Sequence, residues 1–241
     1  MSRIRVKENS GKISRRNQRI RLVRRILIVM LAFLLLIYFV LRIVYETGKF
    51  TIVLDAAGNP MSSIVIYENL DEKRARQKLS AEAMDFITNI SVDWLPTDIG
   101  NAPGGSHNGE NYIAYTFYIE NQGDDTINYW YEMMLDDVIK NVDEALRVMI
   151  ILNDEKTIYG KLNGRTNQPE KTTVAFRTKE EILSGEENKI IIEGRKDFKS
   201  KEIDKMTVVI WIEGDDPDCI DDLIGGEIKM HMKITEEQIQ Q

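Results

Sequence analysis

The sequence predicts a mainly-β protein: a single N-terminal transmembrane helix, then an antiparallel, jelly-roll-like β-sandwich carrying one or two helices. Three observations predict it. Residues 26–45, ILIVMLAFLLLIYFVLRIVY, form one apolar stretch. Beyond it, roughly eight or more short runs alternate apolar with polar residues or are apolar throughout, and turn residues separate them, as in a sandwich or jelly roll. No internal repeat is visible, and no strand–helix alternation suggests a parallel sheet. The chain therefore divides into a basic cytoplasmic tail (1–25), a transmembrane helix (26–45) and an extracytoplasmic sandwich (46–241).

The tail carries ten Lys and Arg against Glu8 alone, a net of +9. The whole chain is −7, which leaves −16 on residues 26–241. Basic residues beside a span stay in the cytoplasm, so the bulk of the chain is expected outside. A tail this basic and poor in apolar residues should be disordered, and contact with anionic lipid follows from its charge. The apolar stretch is 20 residues long, with Arg42 its only charge. At about 1.5 Å per residue it covers roughly 30 Å, the thickness of a bilayer's hydrocarbon core. It lacks the polar stripe of a soluble core helix. Lipid offers no hydrogen bonds, so helix is the only open backbone choice. Arg42, Tyr38 and Tyr45 can reach the headgroups. A cleaved signal has a core of about 7–15 apolar residues and a small-residue cleavage pattern. The exit RIVYETGKF has no such pattern, and an uncleaved anchor is expected.

In the exterior portion, Phe50–Leu54 alternates and Gly58-Asn59-Pro60 breaks it. Ser63–Tyr67 is a second apolar run. Across Asp71–Ile90, Ala75, Leu79, Ala83 and Phe86 or Ile87 fall three or four apart, which predicts an amphipathic helix packed on the sheet. Trp94–Asn111, rich in glycine, reads as a long loop. Tyr112–Asn121 and Ile127–Leu135 alternate around Gly123-Asp124-Asp125, which predicts a hairpin with aromatic cross-strand pairs. Asp136–Ala145 reads as a short helical connection. Arg147–Leu152 and Met206–Ile212 are apolar on both faces, as central strands are. Thr157–Leu162, Thr172–Phe176 and Lys189–Glu193 are further strands, the last two around a turn at Gly185. In Glu227–Thr235, Ile228, Met230, Met232 and Ile234 face the core.

Three stretches carry a resemblance: GKFTIVLD, GSHNGENYIAYTFYIENQG and VIWIEGDDPDCIDDLIGGEIKMHMKI. In segment order, roughly over residues 48–235, the chain resembles the TasA/camelysin (CalY) family of exported Gram-positive surface proteins. The resemblance implies a jelly-roll-like sandwich and a cell-surface or biofilm-matrix role, including fibre formation. Camelysin is classed as a metallopeptidase, so the resemblance also implies that activity as an alternative. This chain departs from the family in having no readable cleavable signal.

The residues themselves offer little catalytic chemistry. Zinc catalysis needs two or three His or carboxylate ligands together, commonly HExxH on a helix. The chain has two histidines, His107 in a glycine-rich loop and His231 on the outer face of the last strand, and no HExxH. No GxSxG marks a serine nucleophile. Cys219, the single cysteine, excludes an internal disulfide, and its acidic neighbours oppose thiolate formation. A free external cysteine suits a bacterial surface without an oxidising lumen. The concentrated chemistry is EGDDPDCIDD, where Asp215, Asp216, Asp218, Asp221 and Asp222 accompany Glu213. Hard oxygen ligands on a turn suit Ca²⁺, although the spacing is not that of an EF-hand; a solvated acidic loop with turn hydrogen bonds is the alternative. The acidic exterior argues against nucleic acid as a partner. The function expected is a membrane-anchored surface module, structural, adhesive or assembling. Alternatives are a camelysin-like metallopeptidase and an accessory subunit of an envelope complex. Its partners would be membrane lipid, through residues 26–45 and the tail, and a surface or envelope protein.

Overall fold

The computed structural model describes residues 21–39, 50–55, 62–84, 87–177 and 188–237. The chain forms two compact units, Met1–Glu46 and Thr47–Gln241. In the first, helix α1 (Arg21–Phe39) is 19 residues long and apolar enough to cross a membrane. Its side chains are exposed all round, as those of a lipid-facing helix are. Its described part begins five residues before the expected span; residues 40–45 of that span, and most of the basic tail, lie outside the described residues.

The second unit is two sheets face to face. Its strands are β1 (Phe50–Leu54), β2 (Ile64–Tyr67), β3 (Lys78–Ser80), β4 (Gly105–Ser106), β5 (Tyr112–Asn121), β6 (Ile127–Ile139), β7 (Leu146–Leu152), β8 (Glu155–Gly160), β9 (Val174–Ala175), β10 (Lys189–Phe198), β11 (Ile203–Ile212) and β12 (Glu227–Glu237). The first sheet runs β10-β6-β12-β1-β3. The second runs β2-β5-β11-β7-β8-β9, and the short β4 shares an edge of β5 with β2. Pairing is antiparallel except for β1 with β12 and β8 with β9. The core lies between the sheets, where alternate residues of each strand point inward: Ile113, Tyr115, Phe117 and Ile119 of β5, Tyr129, Tyr131 and Met133 of β6, Met206, Val208 and Ile210 of β11, and Met230, Met232 and Ile234 of β12.

The strands that read as apolar on both faces have a second cover. Ile90, Leu95 and Ile99 pack with Ala114, Met149, Ile151, Val209 and Trp211 on the outer face of the second sheet. The covering segment is held by two short 3₁₀ turns, Val92–Trp94 and Ile99–Asn101. Gly100 sits where a Cβ would come within 3.2 Å of Ile151. The expected long loop from Trp94 to Asn111 is thus partly structured, and its tail supplies β4.

Three expectations are corrected. No α-helix occurs over Asp71–Ile90 among the described residues, which leave out 85–86. Lys73 takes a left-handed backbone (φ 43°), and Lys78–Ser80 forms an edge strand on β1, with Leu79 opposite Ile52. Leu79 and Ala81 are buried, two apart as in a strand, while Ala75 is exposed. β1 needs a partner on that edge, and this overrides the local helical period. Second, β5 and β6 are not a hairpin; they lie in different sheets. Both carry long apolar faces that need the core, and the chain between them crosses the sandwich. Asn121, fully buried, shapes the crossing: its amide donates to the carbonyls of Asp125 (2.8 Å) and Phe198 (3.1 Å), and its Oδ1 accepts from the Gly123 amide (2.9 Å). Third, β6 continues to Ile139, so only Val142–Ala145 of the expected connection is helical, as a 3₁₀ turn. The turn expected at Gly185 lies outside the described residues.

Candidate functional site

The turn after β11 gathers the acidic residues, and the fold uses them as internal acceptors. Arg147 is the second residue of β7, on the outer face of its sheet, opposite Gly160 of β8 and Trp211 of β11. Its guanidinium lies over Gly160, where a Cβ would come within 2.8 Å of Nη1 and 2.9 Å of Cδ. Only the missing side chain lets the arginine lie flat. Nη2 bonds Asp216 Oδ2, and the two side chains are 3% and 2% exposed. Such a buried pair loses about several kcal/mol per ion in desolvation and persists only if its remaining groups are satisfied. They are here. Nη1 donates to the Leu146 carbonyl at 3.0 Å, and Asp216 Oδ1 accepts from the Asp218 amide at 2.8 Å.

The neighbouring acids tie other segments to this pair. Glu213 accepts from the Trp211 indole (3.0 Å), the Val92 amide (3.1 Å) and the Asp215 amide (3.2 Å). Asp215 accepts from Ser91 Oγ at 2.5 Å, and Asp218 from the Gly164 amide at 2.8 Å. Cys219 Sγ lies 3.2 Å from the Asn89 amide nitrogen. The turn is therefore a knot joining the covering segment, the 163–166 loop and β7. Asp221 and Asp222 sit one turn on, exposed, in a 3₁₀ turn. Among the described residues no group of three or more His, Cys, Asp or Glu is placed to hold a metal ion, so Asp215, Asp216, Asp218, Asp221 and Asp222 are not gathered into one calcium ligand set.

The histidines are held apart. His107 is not in a loose loop: its backbone amide donates to the Ala114 carbonyl beside β4 (2.9 Å), and Nε2 is 2.9 Å from Thr116 Oγ1. Thr116 in turn is 2.7 Å from Thr207 Oγ1. Burial lowers the pKa of His107, and Lys205 adds to this, against a raising backbone hydrogen bond. Thr116 is fully buried, so its hydroxyl is closed to any substrate. His231 Nδ1 lies 2.7 Å from Asp136 Oδ2 on the outer face of the other sheet. Two sheets, packed about 10 Å apart, separate the imidazoles.

Sequence reasoning missed the tyrosine–carboxylate pairs inside the domain. Tyr129 donates to Asp204 at 2.7 Å, Tyr67 to Glu120 at 3.0 Å, Tyr159 to Glu193 at 3.2 Å, and Tyr115 to Glu68. Asp204 is fully buried and also takes Arg195 Nε (3.1 Å) and Asn153 Nδ2 (2.5 Å), linking β6, β10 and β11 across the sandwich. Burial, with these acids beside them, raises the phenol pKa values of Tyr67, Tyr115, Tyr129 and Tyr159, and pushes Tyr131 up to about 12. The phenols stay protonated and act as donors. A signal existed: Asp204 occupies an inward position of β11, in phase with Met206, Val208 and Ile210.

The sequence matches no family profile and no curated protein. Among solved structures it is similar to a β-glucosidase from Kluyveromyces marxianus in complex with glucose, at 15% identity, with 75% of this chain and 17% of that chain covered and a TM-score of 0.24. A selenomethionine-labelled β-glucosidase from the same organism gives 14% identity, 75% and 18% coverage, and the same TM-score of 0.24. The chain thus spans under a fifth of those enzymes' length.

Proposed function

We propose that this chain is a single-pass membrane protein whose sandwich serves outside the cytoplasm as a structural or adhesive surface module. The observation that carries the reading is one apolar helix of membrane-crossing length, the only such helix among the described residues, ahead of a sandwich in the sequence. The use of the buried carboxylates as internal ties supports a structural over a catalytic role. The resemblance to the TasA/camelysin family points the same way, toward a bacterial cell surface. The charge of the tail supports a cytoplasmic N-terminus.

Protease added to intact protoplasts tests it. Cleavage should remove the chain beyond about residue 46 and leave the tail protected, because a segment of bilayer length separates them. A protected C-terminal domain overturns the reading.

A further inference from the structure

Among the described residues, strand β1 is the first element after α1 in sequence, and it pairs in parallel with β12, the last of the described strands. Its five residues are in register with Met230–Ile234: Phe50 opposite Met230, Ile52 opposite Met232, Leu54 opposite Ile234. Parallel pairing puts the start of β1 and the end of β12 at opposite ends of the sheet. Tension drawn between those two points therefore runs along both strands in opposite senses. It loads the β1–β12 hydrogen bonds together, in shear. Antiparallel terminal strands pulled from one end would instead open one bond at a time.

The surroundings fit a strand meant to hold. The Asp55 amide donates to the Ile234 carbonyl at 2.8 Å, and Lys233 Nζ meets Asp55 Oδ2 at 2.5 Å, an ionic tie across the same two strands. Phe50 and Ile52 are buried in the core. On its other edge β1 is held by β3. β12 is fixed in turn by β6 along its whole length, from Glu227 opposite Ile139 to Glu237 opposite Asn128. The five-residue β1–β12 pairing is thus shorter than the eleven-residue pairing that fixes β12 on β6.

We propose that the sandwich is a load-bearing module in which β1 and β12 form a shear clamp. The clamp keeps the domain folded when tension acts between the membrane segment and the distal end. The origin of the load rests on the surface-module reading; the clamp rests on the strand pairing alone.

The test is single-molecule pulling of the full chain in detergent, with peptide handles at residues 2 and 241. In a second form the distal handle moves to the turn at Gly225, just before β12 and on the side where β1 begins. That geometry peels β1 from β12 instead of shearing it. The end-to-end rupture force should exceed the peeling force roughly twofold or more, since shear loads several bonds at once. Lys233→Ala, which leaves the core intact, should lower the end-to-end force and leave the peeling force unchanged. Equal forces in the two geometries, or an equal effect of Lys233→Ala on both, overturn the clamp. The measurement needs neither partner nor bilayer, so its failure is distinct from a failure of the protease test.

Discussion

Removing Asp216 probes what the acidic turn is for. In Asp216→Ala the Arg147 guanidinium stays buried and loses its counter-charge. Breaking a buried pair from one side costs about 3–5 kcal/mol, mostly the penalty of the charge left behind. For a domain of this size each kcal/mol is worth roughly 2–4 °C in melting temperature. The variant should therefore melt about 6–20 °C lower. Replacing both partners by apolar side chains of similar volume is often neutral. Arg147→Met with Asp216→Leu should thus regain most of the loss, the methionine taking the arginine's course over Gly160. The near-ultraviolet dichroism of the tryptophans follows the transition in the full chain in detergent. Trp211 lies opposite Arg147 and donates to Glu213, so its signal reports on this region. The reasoning is refuted if the single variant melts within about 2 °C of the parent, below the smallest shift the pair can give. It is also refuted if millimolar Ca²⁺ raises the parent's melting temperature by mass action and Asp216→Ala abolishes that rise. The acids would then be ion ligands and not ties.

Two further outcomes are expected. The pKa of His107 is lowered in the folded state, so folding favours the neutral imidazole; the stability this contributes is present above the unfolded value near 6.5 and is lost as pH falls through it toward the folded value. Stability of the parent should fall more steeply than that of His107→Gln between about pH 7 and 5, and parallel curves in denaturant titrations would contradict this. Removing β1 should expose an edge of β12 and lose the burial of Phe50 and Ile52, worth about 1.5–3 kcal/mol each. A fragment beginning at Gly48 should be a soluble monomer by light scattering, and one beginning at Asn59 should aggregate and be rescued by a peptide of residues 48–56; filaments from the longer fragment in native buffer would count against it and favour a fibre-forming role.

Alternation was the legible part of this sequence. Where one face of a strand meets the core and the other meets water, period two survives in the sequence, and β1, β5 and β12 begin where the pattern says. What alternation cannot carry is the identity of the neighbour. The residues of β5 and β6 would look the same in a hairpin or facing each other across the core. The connection between them, long enough to cross, decides, and Asn121 fixes it from inside. The Asp71–Ile90 segment failed for a related reason: its charges fill positions that suit either period, and the need of β1 for an edge partner settles the matter from outside the segment.

The candidate site was half legible. The acidic turn stood out by composition, but its use depends on Arg147, near the head of an otherwise apolar strand more than sixty residues earlier. A charged residue at the head of a strand apolar on both faces requires a buried counter-charge, and the sequence holds its densest acids at the end of the neighbouring strand. Once the structure sets β11 beside β7, those two features meet as the Arg147–Asp216 ion pair. The same logic extends to Asp204: an acid in phase with inward methionine and valine demands donors, and Tyr129, Arg195 and Asn153 supply them. Arg147 and Asp204, which break apolar patterns, are each matched by partners from another strand or loop. The sheets are therefore joined by directional bonds as well as by packing, which is the property a domain under tension needs.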